Sequence, residues 1–249
     1  MNKRAEIFAL ILAVLMLFLA NYSYIDSFAV RIADEREEVF VVRVIDGDTI
    51  EIARNETLKE TIRLLGINTP ERGEKYYKEA KEFLESLVLN RTIELEKLRE
   101  DKDKYGRSLR YIFAAGKNVN INIIEEGFAN AYFPSGKDRY AERFYEAWEQ
   151  CLNEGKNLCE KSTDKCINCI ELMDLSIKNS EAVLSNKCSF ECDVKGWELK
   201  GEGRKKTVLE EIISPGESIV IETENAWQET GDSLFLRDEN GNLILHYHY

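Results

Sequence analysis

The stretch from Val39 to Ile52 constrains the fold of this chain more than any other. Apolar residues alternate from Val39 into Asp46-Gly47-Asp48 and resume through Ile50 and Ile52. Asp-Gly between two such runs predicts a β-hairpin, with the glycine supplying the positive φ of a tight turn. Two carboxylates, Asp46 and Asp48, crowd that turn, and Arg63, Gly66–Glu71 and Tyr105-Gly106-Arg107 follow. Carboxylates able to hold a hard cation, with two well-separated arginines, are the groups that cutting a phosphodiester requires. Taken alone, Asp46 and Asp48 satisfy ordinary turn chemistry; the arginines make the set more than a turn.

The periodicity continues the pattern. Strands are expected over Val39–Ile45, Asp48–Ala53 and Glu60–Leu65, and Asn68-Thr69-Pro70 breaks the run into a loop. Tyr76, Ala80, Phe83, Leu84 and Leu87 recur at helical spacing between Lys75 and Leu89. Two more strands, Thr92–Leu98 and Leu109–Ala114, flank a polar hairpin at Asp103–Gly106. Helices follow over Val119–Glu126 and Asp138–Leu152. Three strands, a helix, two strands and then helices is the order of a five-stranded oligonucleotide-binding (OB) barrel with about three helices. Past Cys169 the helical period vanishes. Short runs at Ile170–Lys178, Trp197–Lys200, Thr207–Ile212, Ser218–Glu222, Ser233–Arg237 and Leu243–Tyr249 suggest a small β-sandwich.

A net charge of −12 argues against a protein that coats nucleic acid indiscriminately, because an acidic body repels phosphate. A local basic cleft remains compatible with it: Lys97, Arg99, Lys102, Lys104, Arg107 and Arg110 are concentrated around the second hairpin, where they could equally form a solvated face. The N-terminus, Lys3 and Arg4 followed by uncharged Ile7–Ala20, reads as a secretory signal or signal anchor. Residues 1–30 are assigned to it. The chain is then expected to be secreted or held at the extracellular face of a membrane. All six cysteines, Cys151, Cys159, Cys166, Cys169, Cys188 and Cys192, follow Gln150. An exported chain with an even count favours disulfides, with zinc at Cys151, Cys159, Cys166 and Cys169, or free thiols, as the alternatives.

Asp46-Gly47-Asp48-Thr49, Arg63-Leu64-Leu65-Gly66-Ile67-Asn68-Thr69-Pro70-Glu71 and Asp103-Lys104-Tyr105-Gly106-Arg107 resemble, in order, the three signature segments of the staphylococcal nuclease (thermonuclease) family. The resemblance covers about Val39 to Asn157. It implies an OB-fold barrel and calcium-dependent cleavage of DNA or RNA to 3′-phosphates. It also implies roles: Asp48 as the principal calcium ligand, Asn68 and the Thr69 carbonyl as further ligands, and Asp46 as a carboxylate beside the ion. Arg63 and Arg107 would clamp the scissile phosphate, and Glu71 would orient or activate the attacking water. Lys104 and Tyr105 match positions that touch a neighbouring phosphate, and Tyr132 a nucleotide-contacting aromatic. Where many members carry a second carboxylate this chain has Asn68, which removes a charge from the site and lowers the expected calcium affinity.

Residues 170–249 resemble the lamin tail domain, an immunoglobulin-like sandwich, at Gly196-Trp197-Glu198-Leu199, Ile213–Glu217, Trp227 and Gly231–Leu236. Trp197 is expected in its core. The expected organisation is thus a barrel domain at 38–158, a cysteine-bearing linker at 159–169 and an all-β domain at 170–249. A monomer is expected, with an unidentified ligand for the last domain. Two rival readings remain: a nucleic-acid-binding module with a weakened site, and a cell-surface adhesion protein. With only His246 and His248 present, both at the C-terminal end, a histidine base within the barrel is not expected. Those two share a strand face, either as a metal pair or as an exposed strand end.

Overall fold

The Asp-Gly hairpin forms as β1 (Glu37–Asp46) and β2 (Thr49–Ala53), paired antiparallel with Asp46 opposite Thr49. The glycine's role differs from the expected one. Gly47 is not among the residues at positive φ; an added Cβ would stand 2.9 Å from the Ala80 Cβ and 3.0 Å from the Thr69 Cγ2. Close approach, and not a left-handed backbone, requires glycine there.

The computed structural model describes residues 36–98, 101–224, 227 and 231–249, with isolated positions 11 and 16. Apart from those two positions, the proposed N-terminal export segment lies outside the described residues, as does Arg99. Among the described residues no helix is long and apolar enough to cross a membrane.

β3 (Lys59–Leu64) pairs with β2, and β4 (Ile67–Asn68) follows it. α1 (Tyr77–Val88) buries Ala80, Leu84 and Val88, one face at a four-residue repeat. β5 (Thr92–Glu96), β6 (Ser108–Ala114) and β7 (Lys117–Asn118) complete the sheet, in the order β3-β2-β1-β5-β6-β7. A parallel seam, Ile62 opposite Ser108 and Leu64 opposite Arg110, joins β3 to β6 and closes a five-stranded barrel. Its interior is filled by Val41, Val44, Ile50, Ile52, Ile62, Leu64, Ile93, Leu95 and Ile112. α2 (Val119–Glu125) starts where the Asn118 side chain accepts the Ile121 N–H. β8 (Asn130–Ala131) pairs with β4, Asn68 opposite Asn130. α3 (Ala141–Glu154) packs Phe144 and Trp148 inward and stops at Gly155, φ 64°. Gly66, φ 74°, lies under α3; a Cβ there would come within 2.7 Å of the Phe144 ring. The barrel with its three helices matches the expected order.

The C-terminal part is all β. β10 (Glu181–Asn186) is the centre of a three-stranded antiparallel sheet between β9 (Ile170–Ser176) and β15 (Ser218–Glu222). A four-stranded sheet follows the order β13-β12-β16-β17, from Lys206–Val208, Glu198–Lys200, Ser233–Arg237 and Leu243–His248. β11 (Cys192–Asp193) and β14 (Ile212–Ile213) form a short pair. The run expected at Thr207–Ile212 is broken between β13 and β14, and β10 is an additional strand. Trp197 is fully buried in the cluster these sheets share.

All six cysteines are paired: Cys151 with Cys159, Cys166 with Cys192, and Cys169 with Cys188. The zinc alternative therefore gives way to disulfides. Residues Glu38–Tyr249 make one compact unit. Phe235 and Leu243 of the C-terminal sheets belong to the barrel's hydrophobic cluster, with Phe235 edge-on to Trp148 at 5.3 Å. His246 stacks on Phe235 at 5.2 Å and contacts Trp148 at 5.8 Å, so it packs against α3 and is not an exposed strand end.

Candidate active site

The β1–β2 turn and the strand end after β3 bring distant residues together. Asp48 is buried at the turn. Its Oδ2 meets the Arg63 Nη2 at 2.8 Å and accepts from the Thr69 hydroxyl at 3.1 Å and backbone N–H at 3.4 Å. Its Oδ1 accepts from the Thr49 hydroxyl at 2.9 Å, and Arg107 Nη1 reaches that hydroxyl oxygen at 3.4 Å. Arg63, Asp48, Thr49 and Arg107 thus form one continuous chain of polar contacts, built from β2, β3 and the loop before β6.

Burial by itself would raise the Asp48 carboxyl; the facing Arg63 guanidinium and the Thr49 hydroxyl hold it below the usual carboxylate range. Its neighbour moves the other way. Burial, with the adjacent Asp48 charge, pushes Asp46 up to about 6. Asp46 also accepts the Asp48 backbone N–H at 3.2 Å. Burial lowers Arg63, Asp48 opposes that, and the positive charges of Arg107 and Arg204 add to the lowering. Two further Arg63 donors go to the Leu64 and Ile67 carbonyls, at 2.6 and 2.8 Å. Arg63 is therefore locked in place before any ligand arrives.

A hard cation fits this donor set. The buried Asp48 and the half-buried Asp46 repel one another, and Asn68 adds a buried carbonyl oxygen, Oδ1, that finds no hydrogen-bond donor among the described residues. All of these donors are oxygens, the ligand type that calcium takes.

Arg107 is aimed by a residue that sequence reasoning gave no role. Asp103 accepts the Tyr105 and Arg107 backbone N–H groups on Oδ1, at 2.9 and 3.0 Å, and the Arg107 Nε on Oδ2 at 2.7 Å. The Asp-x-x-Gly-Arg spacing could have revealed this, because an Asp at a turn start organises its own loop. Lys104 and Tyr105 stand at the exposed tip, with the Lys104 ammonium over the Tyr105 ring at 5.1 Å. Within the basic concentration, Lys97 and Arg110 pair with Asp101, at 3.2 and 2.8 Å.

Glu71 and Tyr132 are not members of the Asp48 contact chain; they stand beside a loop of the C-terminal sheets. Glu71 Oε1 pairs with Arg204 Nε at 2.7 Å, and its backbone N–H donates to Glu74 at 2.7 Å. Tyr132 donates its backbone N–H to Gly66, and its ring faces Gly203. Arg204, 133 residues beyond Glu71 in the sequence, was not legible as part of the site.

Comparison with known proteins points to the same part of the chain. The family model described as staphylococcal nuclease homologue matches residues 61–161, a span that contains Arg63, Asn68–Glu71 and Arg107. The chain is similar to the thermonuclease of Staphylococcus intermedius, 34% identical over 169 residues, covering 64% of this chain and 99% of that protein. It is similar to the thermonuclease of Staphylococcus hyicus, 35% identical over 124 residues, covering 47% of this chain and 73% of that protein. With the endonuclease YncB of Bacillus subtilis it shares 32% identity over 128 residues, 48% of this chain and 60% of that protein.

Proposed function

This chain belongs to the staphylococcal nuclease family, and we propose that it is an exported, calcium-dependent nuclease that hydrolyses DNA or RNA to 3′-phosphate products. The observation that carries the reading is the unbroken contact chain Arg63–Asp48–Thr49–Arg107, in which two guanidiniums flank one buried carboxylate. Asp48, with Asp46, the Asn68 Oδ1 and the Thr69 carbonyl, would hold the calcium. Bound there, the ion would neutralise charge that develops on the phosphate oxygens.

The chain's own residues supply the rest. Phosphodiester hydrolysis builds negative charge on oxygens that do not leave, so preorganised cations lower the barrier. Arginine suits that task because its fork reaches two oxygens at once. Arg107, held by Asp103 and only partly covered, is free to exchange Thr49 for a phosphate oxygen. Arg63, more deeply buried, acts as a fixed charge that keeps Asp48 ionised. Glu71 serves as the water-orienting carboxylate, and Lys104, Tyr105 and Tyr132 as contacts to neighbouring nucleotides.

Three disulfides support export, because such bonds persist in oxidising compartments. Residues 1–30 are proposed as the export signal or anchor, leaving the folded part secreted or at the outer membrane face. The C-terminal sheets are proposed as a lamin-tail-like, immunoglobulin-like sandwich, and the protein as a monomer.

The test is cleavage of single-stranded DNA, duplex DNA and RNA by the full chain, with calcium and with excess chelator. Cutting that needs calcium in the millimolar range, and leaves ends that a polymerase extends only after phosphatase treatment, is expected. Undiminished cutting in chelator overturns the calcium assignment. Binding without cutting on every substrate favours the binding-module reading.

A further inference from the structure

The loop joining β12 to β13, Gly201–Lys205, belongs to the C-terminal sheets yet lies on the nuclease site. Its backbone is pinned there. The Glu202 carbonyl accepts from Asn68 Nδ2 at 3.1 Å and from Asn130 Nδ2 at 3.0 Å, and the Gly203 carbonyl from Asn68 Nδ2 at 3.3 Å. The Glu202 N–H donates to Asp232 at 2.9 Å, and its carboxyl receives the Ser233 hydroxyl at 2.9 Å. A carboxylate at position 68 could not donate to those carbonyls, so the amide of Asn68 does work that an aspartate could not.

From this fixed backbone Arg204 reaches Glu71, while Lys206 reaches Glu74 at 3.5 Å. Gly201 and Glu202 are buried, but the loop's arginine is not: the Arg204 and Glu71 side chains are 48% and 47% exposed. An ion pair that wet is weak, so it gives way readily to a better partner. A phosphodiester is such a partner, because a guanidinium binds it through two charge-assisted hydrogen bonds. Arg204 also stands near enough to Arg63 that its positive charge, with that of Arg107, acts on the Arg63 guanidinium, a repulsion that an arriving anion relieves. In a body of net charge −12, each cation at the cleft matters more for attracting phosphate.

We propose that Arg204 is a further phosphate-binding arginine of the site, supplied by the C-terminal sheets, which rests on Glu71 until nucleic acid displaces it. Glu71 is then released to a water only once a phosphate is in place. The proposal rests on the nuclease reading, and the experiment separates the two. Full-length wild type, Arg204→Ala and Arg204→Lys are compared for binding a labelled single-stranded phosphorothioate oligonucleotide by anisotropy, with and without calcium, across a salt series. Cleavage kinetics with calcium are measured in parallel.

Arg204→Ala is expected to weaken binding about tenfold and to lower the slope of log affinity against log salt by roughly 0.7, the loss of one phosphate contact on a single strand. KM should rise by a similar factor, with kcat within about twofold, and Arg204→Lys should restore the slope but not the full affinity. Unchanged affinity and slope in Arg204→Ala overturn the proposal. So does a rise in kcat/KM, which would make Arg204 a plug and not a ligand. A wild type that binds with the expected slope but never cuts removes the nuclease reading and leaves the phosphate contact standing; one that neither binds nor cuts removes both.

Discussion

Asp48 and Arg107 both serve the same site, yet the structure separates them on stability. Asp48 faces the buried Arg63 at 2.8 Å, so Asp48→Ala strands a guanidinium away from water, at a cost of about 3–5 kcal/mol. Arg107 pairs with Asp103 where both side chains are partly exposed, so Arg107→Ala should cost about 1 kcal/mol or less. Both variants are expected to lose cleavage. Denaturant titration should show a large loss of stability in the first and almost none in the second. Equal destabilisation would mean that Arg107 supports the barrel and not the chemistry. Asp48, Arg63 and Arg107 of this chain of contacts were legible because each lies in a short segment with its own signal: a turn aspartate, an arginine on an alternating strand, a Gly-Arg after a polar loop. Arg204 carried no such signal, since its partner Glu71 is brought to it only by tertiary packing.

At the scale of elements, the sequence was readable where alternation is clean and unreadable where polar residues are buried. β1, β2 and β6 announce themselves by period. β10 does not, because Ser185 and Asn186 are buried on it and satisfied from afar. Asn186 donates to the Phe190 and Ile213 carbonyls, both at 2.8 Å, and Ser185 to Glu217 at 3.2 Å. No local pattern encodes those partners. β17 carries a similar surprise in His246. Burial between Phe235 and Trp148, with the His248 and Arg237 charges adding to it, pulls its imidazole down to about 4. The unfolded chain takes up that proton near the ordinary 6.5 and the folded chain does not. Stability from this contact is therefore complete above pH 6.5 and falls as pH drops toward 4, by about 1.4 kcal/mol per unit. His246→Phe should flatten that acid-side loss. Melting temperatures at pH 7.5 and 4.5 check it, and an unchanged difference between the two would refute the assignment.

Across the whole molecule, the barrel and the C-terminal sheets share a hydrophobic cluster through Phe235, Leu243 and Trp148, and the linker pairs directly with the last strand, Lys161 against Leu243. The sequence marked two regions by their different periods, but not the contact between them, since residues such as Phe235 read equally well as the core of either. The seam has a consequence of its own. β3 and β6 meet over three residue pairs only, from Ile62–Ser108 to Leu64–Arg110, and both arginines of the barrel's contact chain hang from it: Arg63 sits within β3 and Arg107 immediately before β6. Thermal breathing of so narrow a junction would part them while most of the molecule keeps its secondary structure. Cleavage is accordingly expected to fade several degrees below the circular-dichroism melt, and coincident loss of the two signals would count against it. Heat would disarm this protein before it unravels it.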